Sequence, residues 1–274
     1  ACGLAKNAGR NTVHLYDVSN ETGVNKRQDI ISVHQINNAL KNDLFVLYRQ
    51  DIIPLQHTQP DQHFEILLRM KGPDDTIISP ASFFPIAERY RLTSKIDRWV
   101  INAVFKHYAD NNKQLDSIQM ISINLSGHSM NDVELEQFII TKVQSGPIPA
   151  TKICFEITET VAITNVERAR LFMDNIKALG CSFALDDFGS GHSSYTYIRE
   201  LPTEKIKING SFVASMMENP LDYTAVKSIC DIAKAAKQDV IAEFVEDKKT
   251  MEALKKLGVD YGQGYYFCQP YALV

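Results

Sequence analysis

The sequence predicts an α/β protein in which eight strands and the helices between them close into a (β/α)8 barrel. Strand-like and helix-like segments alternate from residue 29 to near the end of the 274-residue chain. Six of the strand-like segments also carry a lone acid, amide or amine, or an adjacent acid pair, at or near the carboxyl end of one face. Because the carboxyl ends of barrel strands meet at one rim, we expect these polar side chains to converge.

The predicted elements follow one another in regular order. Strands show period-two alternation, and helices show apolar residues three and four positions apart. Strands are predicted at residues 44–53, 64–70, 118–125, 152–157, 181–187, 205–209, 239–245 and 259–267. Helices are predicted at residues 29–41, 80–90, 94–109, 132–144, 164–179, 193–200, 222–237 and 247–257.

Several helix boundaries carry their own signals. Ser79-Pro80 places a capping hydroxyl before a proline that suits the first turn of a helix. Thr164 and Glu167 have the spacing of a capping box, which favours a helix start over a catalytic role for Glu167. Gly180 and Gly258 follow helical periodicity at positions where a left-handed C-cap residue is expected.

Period-two alternation assigns each polar residue to one strand face. In the second predicted strand, Glu65, Leu67 and Arg69 share the face opposite the large apolar residues. The same alternation puts Lys207 and Asn209 on one face of their strand. The candidate residues of the rim are Glu65, Asn124, Glu156, Asp186, Asp187, Lys207 and Glu243.

The first part of the chain breaks the alternation. Residues 20–28 form a polar run without periodicity, which is typical of a linker. The chain also begins at Ala1 and not at a methionine, so we expect it to be part of a longer protein. The sequence therefore predicts a linker at 19–28 and a barrel domain at 29–274.

Composition excludes several classes of function. No run approaches the roughly 18 apolar residues of a membrane span, and no leader segment is evident, so we expect a cytoplasmic domain without membrane contact, even if the full-length protein is anchored upstream. The 5 cysteines are widely spaced, which favours reduced thiols over disulfides or a zinc site. A formal net charge of -4 argues against binding a nucleic-acid polymer.

The rim residues supply carboxylate and amide oxygens, the ligands that Mg²⁺ and Mn²⁺ prefer. Several acids in one pocket repel one another unless cations lie among them. Two divalent ions about 3.5–4 Å apart, bridged by a shared carboxylate, would activate water for attack on a phosphoester. The adjacent Asp186 and Asp187 are candidates for that bridge, and Lys207 is a candidate to orient the water.

Taken singly, each of these residues has a structural explanation. Asp186 and Asp187 precede Gly-Ser-Gly, where a turn with an Asx cap is the commoner interpretation. Lys207 alone suits a solvated edge strand, and Glu159 suits the first turn of a helix. The aromatic cluster 265–267 is interpreted as core. Only the conjunction of polar residues on separate strands favours a site.

The ordered motifs resemble those of the EAL domain, a phosphodiesterase module that hydrolyses cyclic di-GMP. The resemblance runs from about Val33 to Pro270. It rests on Glu65-Ile66-Leu67-Leu68-Arg69, Ser79-Pro80, Phe84-Pro85-Ile86-Ala87-Glu88, Asn124-Leu125-Ser126, Glu156-Ile157-Thr158-Glu159, Asp186-Asp187-Phe188-Gly189-Ser190-Gly191, Glu243-Phe244-Val245-Glu246 and Gln263-Gly264-Tyr265. Residues 1–16 resemble the last helix and strand of a GGDEF (diguanylate cyclase) domain, so residues 1–18 are assigned to the remnant of such a domain.

The resemblance implies a TIM-like barrel with one antiparallel strand and a site for two Mg²⁺ or Mn²⁺ ions. The implied metal ligands are Glu65, Asn124, Glu156, Asp186, Asp187 and Glu243. The implied catalytic residues are Glu65, Glu159, Asp187, Lys207 and Glu243, with Lys207 on the attacking water and Glu159 holding the glycine loop. The implied substrate contacts are Gln50, Leu67, Arg69 and Gln263. Cyclic di-GMP, a second copy of the chain, an upstream GGDEF domain and an upstream sensor domain are the implied partners.

Three positions depart from the family pattern. The family's Lys-Ile-Asp reads Lys207-Ile208-Asn209, so an inward acid is replaced by an amide. Phe244 stands where the family has glycine, and strand parity places its ring away from the mouth of the barrel, against the helices. Gln50-Asp51 replaces Gln-Pro, which removes a rigid element near the nucleotide. None of these changes removes a matched metal ligand.

The expected function is metal-dependent hydrolysis of cyclic di-GMP to linear pGpG by in-line attack of water, at a rate reduced by Asn209 and Phe244. The alternative is a receptor that binds cyclic di-GMP without cutting it, which the same two residues favour. A third interpretation, a docking domain that binds no nucleotide, is disfavoured by Gln50, Arg69 and the glycine loop.

Overall fold

One curled mixed sheet organises the described part of the chain. The structure is a computed structural model that describes residues 32–57, 62–189 and 196–274. The predicted cyclase remnant, the predicted linker and most of the glycine loop, from Ser190 to Ser194, lie outside the described residues.

The strands are numbered in chain order. They are β1 (Phe45–Asp51), β2 (Ile53–Pro54), β3 (Gln62–Lys71), β4 (Ile77–Ile78), β5 (Ile118–Asn124), β6 (Ile153–Thr158), β7 (Ser182–Phe188), β8 (Lys205–Ile208), β9 (Asp239–Ala242), β10 (Tyr261–Gly262) and β11 (Tyr271–Ala272).

Helices occupy most of the connections between strands. They are α1 (32–41), α2 (Pro80–Arg89), α3 (Thr93–Asp110), α4 (Val133–Ser145), α5 (Glu159–Thr164), α6 (Val166–Lys177), α7 (Thr196–Glu200), α8 (Gly210–Ser215), α9 (Pro220–Ala236) and α10 (Lys248–Leu257). Within the described ranges, none of these helices has the length and apolarity needed to cross a bilayer.

The strand order confirms the predicted α/β barrel with one antiparallel barrel strand. The order is β11-β1-β3-β5-β6-β7-β8-β9-β10-β2, with β4 on the side of β3. From β3 to β10 the pairings are parallel, and β1 runs antiparallel to β3. The short strands β2, β4 and β11 add antiparallel pairs to β10, β3 and β1; β4 and β11 were not predicted, and the predicted strand 44–53 reaches only Ile53 of β2.

The sheet curls until its two ends meet. β1 lies near one end of the strand order and β2 lies at the other, yet only Ile52 separates them in the sequence. Ile52 is buried in a small cluster with Ile241 and Tyr261, on β9 and β10. Chain continuity through Ile52 therefore holds β1 beside β10.

Alternation along the strands separates the helix-facing layer from the barrel interior. Phe183 of β7 packs against Phe155 of β6 and Phe172 of α6, with ring centroids 5.8 and 6.2 Å away. These rings are fully buried, and each stabilises the fold by about 1.5–3 kcal/mol. Glu156, next to Phe155, therefore faces the interior. Cys154 is a buried free thiol, as the cysteine spacing predicted.

Some predicted boundaries are wrong by a few residues. The cap of α6 is Asn165, whose side chain accepts a hydrogen bond from the Arg168 N–H, because α5 already occupies Thr164. Ser79 precedes α2 as predicted, but its hydroxyl makes no capping bond. Gly258 does end α10 in the left-handed conformation, with a φ of 83°.

The end of the barrel departs most from prediction. β9 ends at Ala242, three residues before the predicted end, and the predicted strand 259–267 contains only the two residues of β10. Phe244 has a φ of 54° and Gly264 has a φ of 157°, so neither segment continues as a strand.

Gly264 provides a test of packing at this end of the barrel. A Cβ atom at residue 264 would overlap the backbone nitrogen and oxygen of Val245. We expect Gly264→Ala to lower the free energy of unfolding by at least about 3 kcal/mol, because steric overlap and backbone strain add. Urea denaturation measures this value.

Gly258→Ala is the matched control. Gly258 is also left-handed, but a Cβ atom there meets nothing within 4 Å. We expect Gly258→Ala to lower the free energy of unfolding only by the backbone strain, about 1–2 kcal/mol. Equal losses of stability in the two variants would contradict the packing explanation.

Candidate active site

The ammonium group of Lys207 lies among four carboxylates inside the carboxyl end of the barrel. Its Nζ atom is 2.7 Å from Glu156 Oε2, 2.9 Å from Glu243 Oε1, 3.0 Å from Glu65 Oε2 and 3.3 Å from Asp186 Oδ1. Lys207 is only 1% exposed. We call Lys207 with Glu65, Glu156, Asp186 and Glu243 the acidic ring.

Strand register brings the acidic ring together. Glu65 on β3, Glu156 on β6, Asp186 on β7 and Lys207 on β8 point inward from separate strands, and Glu243 directly follows β9. Asn124 is paired in register with Glu156. Its Nδ2 atom donates a 2.6 Å hydrogen bond to Glu65 Oε1.

An irregularity in β7 gives the two adjacent aspartates different partners. The register with β8 shifts between Leu185 and Phe188, and Asp187 has a φ of 55°. Asp186 contacts Lys207, whereas Asp187 Oδ1 accepts a 2.8 Å hydrogen bond from Asn209 Nδ2. Such a bulge re-aims side chains at the end of a strand.

Asn209 has a second structural role. Its Oδ1 atom accepts a 2.9 Å hydrogen bond from the Ser211 N–H and so caps α8. The amide therefore donates to Asp187 through nitrogen and caps the helix through oxygen. The charge that an aspartate would add at this position is missing.

Two amide side chains connect the acidic ring to β1, across the junction between β10 and β1. Gln263 Nε2 lies 2.8 Å from Glu65 Oε2 and 3.2 Å from Gln50 Oε1. Gln50 in turn donates a 3.0 Å hydrogen bond to the Cys268 carbonyl. These bonds fix the amide groups of both glutamines beside Glu65.

Glu159 holds the start of the glycine loop. It is buried at the beginning of α5, and its Oε2 atom accepts a 2.9 Å hydrogen bond from the Gly189 N–H. The rest of the predicted loop lies outside the described residues, so the contact places Glu159 at its described edge.

Burial and mutual repulsion set the protonation of the acidic ring. Burial and neighbouring acids raise the pKa of Glu156 and that of Glu243 to about 8, against the pull of Lys207, and also raise the pKa of Asp186. For Glu65, burial is outweighed by Lys207 and the amide hydrogen bonds, so its pKa is lowered. Burial opposes the charge of Lys207, but the four acids raise its pKa well above the ordinary value.

The donor set of the acidic ring suits a hard divalent cation. Four carboxylates face one ammonium, and Glu156 Oε1 is buried with no hydrogen-bond partner among the described residues. In the same residues, no group of three or more His, Cys, Asp and Glu side chains meets the geometry of a metal site. The ammonium of Lys207 lies where the carboxylates converge.

A cavity of about 300 Å³ opens beside the acidic ring. Four of its lining residues, Gln50, Leu67, Arg69 and Gln263, are the predicted substrate contacts. Arg69 donates a 2.7 Å hydrogen bond to the Leu68 carbonyl and its guanidinium lies 5.4 Å from the centre of the Tyr48 ring. The wall of the cavity therefore carries charged groups of both signs, including Glu65 and Arg69.

Sequence reasoning missed other residues of the cavity, namely Phe244, Glu246, Gly264, Tyr265 and Pro270. The expectation that the Phe244 ring points away from the mouth of the barrel is wrong: the residue is 61% exposed and lines the cavity, although its ring also contacts Gly210 at the start of α8. Strand parity fails there because the strand has already ended at Ala242. The interpretation of Tyr265 as a core residue is also wrong, since Tyr265 is 62% exposed at the same cavity.

Asp51 restrains the chain next to Gln50 through side-chain contacts, whereas the proline that the family has at this position restrains it through its ring. It pairs with Arg49 at 3.2 Å and accepts a hydrogen bond from the Tyr271 hydroxyl at 3.0 Å. Since Tyr271 belongs to β11, this network ties the end of β1 to the last strand.

Comparison with known proteins identifies relatives across nearly the whole chain. The sequence profile described as "EAL domain" matches residues 33–270. "Cyclic di-GMP phosphodiesterase PdeB" of Shewanella oneidensis is 39% identical over 273 residues, which is 100% of this chain and 32% of that protein. "Cyclic di-GMP phosphodiesterase PdeF" of Escherichia coli is 36% identical over 248 residues, 90% of this chain and 33% of that protein. The chain thus spans about a third of the length of these curated relatives.

Solved structures share the fold. The "PaMucR Phosphodiesterase, c-di-GMP complex" superimposes with a TM-score of 0.81 at 24% identity, covering 88% of this chain and 97% of that chain. The FimX EAL domain from Pseudomonas aeruginosa bound to c-di-GMP has a TM-score of 0.80 at 26% identity, covering 87% of this chain and 96% of that chain.

The raised pKa values predict how stability depends on pH without divalent cations. The pKa of Glu156 and that of Glu243 rise from 4.5 in their ordinary state to about 8 in the folded protein. Between these values the folded state binds more protons than the unfolded state, so stability falls as pH rises. In EDTA, we expect the free energy of unfolding to fall from about pH 5 to about pH 8, by up to about 1.4 kcal/mol per pH unit for each carboxyl.

Urea denaturation at several pH values tests this expectation. The double variant Glu156→Gln/Glu243→Gln should show a flatter pH dependence. The exposed Glu252→Gln should keep the wild-type slope. A wild-type slope in the double variant would contradict the assignment to these two carboxyls.

Proposed function

This chain belongs to the EAL domain family, and we propose on that basis that it hydrolyses cyclic di-GMP to linear pGpG with the help of Mg²⁺ or Mn²⁺. The observation that carries the proposal is the acidic ring beside a cavity that contains all four predicted substrate contacts. The names of the curated relatives support the same activity.

The proposed metal ligands are Glu65, Asn124, Glu156, Asp186, Asp187 and Glu243. All supply hard oxygen atoms, and a bound cation would relieve the mutual repulsion that raises the pKa of Glu156 and that of Glu243. When two such ions are bound, they supply activation of water and stabilisation of the charge that develops on the phosphodiester.

Lys207 acts as a hydrogen-bond donor in this proposal. Without bound cations the surrounding acids raise its pKa well above the ordinary value, and we propose that Lys207 does not act as the base for the attacking water. Its ammonium instead offsets negative charge and orients the attacking water by donating to its oxygen. Glu159, by holding Gly189, positions the described edge of the glycine loop.

The substrate lies in the cavity beside the acidic ring. Arg69 supplies a guanidinium for a phosphate oxygen or a base edge, and Gln50 and Gln263 supply amides. Leu67 provides apolar contact at the same wall. In this placement, a phosphodiester reaches the acidic ring while the remainder of the dinucleotide occupies the cavity.

A receptor for cyclic di-GMP is the second candidate function. The observation that favours it is the amide of Asn209, which contacts Asp187 where the family has an acid. An amide there reduces the negative charge available to a cation. A protein with this change would keep the cavity and bind the nucleotide while turnover is slow or absent.

The assembly is also part of the proposal. We propose a homodimer in the cytoplasm, with a GGDEF domain and a sensor domain upstream in the full-length protein. The support is the family membership, together with the greater length of the curated relatives.

Hydrolysis is tested by incubation with cyclic di-GMP and Mg²⁺ or Mn²⁺, followed by chromatography of the products. We expect pGpG in the presence of metal and intact substrate in EDTA. Glu65→Gln should lower kcat by at least about 100-fold, because it removes a charged ligand and the ion pair with Lys207. Glu252→Gln, exposed on α10, should retain wild-type activity. Intact substrate with retained binding would reject the enzyme and leave the receptor.

Asn209→Asp tests whether the missing acid limits turnover. An aspartate at this position keeps an oxygen for the Ser211 N–H and adds charge next to Asp187. We expect the concentration of Mn²⁺ needed for half-maximal activity to fall by about tenfold. The control Asn209→Ser keeps a capping oxygen without the charge. Equal metal dependence in the two variants would contradict a limiting role of the charge.

A further inference from the structure

Phe244 occupies an unusual place for a large apolar side chain. It lies between Glu243 of the acidic ring and the buried Val245, yet its own side chain is 61% exposed at the cavity beside Gln50 and Arg69. The cavity therefore has a freely accessible aromatic ring one residue away from a proposed metal ligand.

The backbone around Phe244 is held on both sides. The Val245 N–H donates to the Gln263 carbonyl at 3.0 Å, and the Gln263 N–H donates to the Ala242 carbonyl at 2.8 Å. Between these two bonds Phe244 has a φ of 54°, which is rare for a bulky residue. Such strain persists where surrounding contacts enforce it, and it is common at functional sites.

One side of the Phe244 ring is supported by a glycine. A Cβ atom at Gly210 would overlap ring atoms of Phe244, so the ring lies directly against the glycine backbone at the start of α8. Because this contact covers one side and the residue remains largely exposed, the rest of the ring is available to the cavity. A supported ring with an accessible face is a stacking surface.

The surroundings of the ring fit a purine base. The cavity combines the hydrogen-bonding groups of Gln50, Arg69 and Glu246 with a second exposed aromatic ring, Tyr265. Bases stack on aromatic side chains while their edges bind polar groups. An aliphatic ligand would leave this combination of flat and polar surfaces largely unused.

We propose that Phe244 is a substrate-binding residue on which one guanine base of the cyclic dinucleotide stacks. The inference rests on the proposed function, since it assigns a part of that same substrate to this ring. The residue that departs from the family glycine thus strengthens binding, and it acts on the capture of substrate more than on cleavage of the phosphodiester.

Binding is measured by calorimetric titration with cyclic di-GMP in EDTA, so that hydrolysis does not consume the ligand. Removal of a base-stacking ring lowers the affinity by about 5- to 150-fold. We expect Phe244→Gly and Phe244→Leu to weaken binding in this range, and Phe244→Tyr to keep it within about threefold. In Mn²⁺, Phe244→Gly should raise KM by a similar factor, with a smaller change in kcat.

Loss of folding does not explain the expected result. Glycine adopts positive φ without steric cost, and this relief offsets the lost contact with Gly210 and the greater chain entropy of glycine, so Phe244→Gly should be about as resistant to urea as the wild type. Weaker binding together with unchanged or higher stability therefore reports on the ring itself. If Phe244→Gly binds equally or more tightly, the ring is neutral or obstructs the cavity, and the inference is wrong.

A fluorescent variant gives an independent signal. The protein contains 1 tryptophan, Trp99 of α3, which contacts Phe45 and Asp43 and does not line the cavity. In Phe244→Trp/Trp99→Phe, we expect saturable quenching by cyclic di-GMP, with a midpoint near the calorimetric Kd. In the wild type, Trp99 emission should change little. Binding of the variant without a change in emission would overturn stacking.

The outcomes separate this inference from the proposed function. If the wild type neither binds nor cleaves cyclic di-GMP, the proposed function fails and the assignment of Phe244 fails with it. If the wild type binds and Phe244→Leu binds equally well, only the assignment of Phe244 fails.

Discussion

The carboxyl end of the barrel depends on one buried ammonium. Lys207 neutralises part of the charge of four acids that come from separate parts of the sheet, and without it their burial would be strongly unfavourable. The strand register brings Lys207 to these acids, and the amides of Asn124 and Gln263 add hydrogen-bond donors to Glu65. The compensation is incomplete, since two carboxyls keep a pKa of about 8. A site built in this way has an intrinsic preference for added positive charge.

Much of this arrangement could be predicted from the sequence. Period-two alternation is a local property, so it identified the inward face of Glu65, Glu156 and Lys207 before any fold was known. The order of strands and helices then fixed the rim on which they meet. The distances could not be predicted, because they depend on register between strands far apart in sequence and on the reach of the Lys207 side chain.

Phe244 shows where such reasoning fails. Parity applies only while a strand continues, and β9 ends at Ala242 because the next residues bond to the segment around Gln263. That partner is about twenty residues away in sequence and carries no local signal. The same limitation applies to Tyr265, whose aromatic cluster suggested core although the backbone at Gly264 turns it outwards. Both errors concern the cavity, where local preference and tertiary contacts disagree.

The meeting of the two sheet ends has a mechanical consequence. β1 pairs with β3 and β11, and β10 pairs with β9 and β2, so the seam between β1 and β10 is spanned by Ile52 and by the amides of Gln50 and Gln263. The cavity opens along this seam. A molecule that contacts both glutamines bridges β1 and β10, two described strands that no backbone pairing joins directly. Its binding free energy adds to the cohesion of the fold, so occupancy of the cavity and rigidity of the barrel rise together.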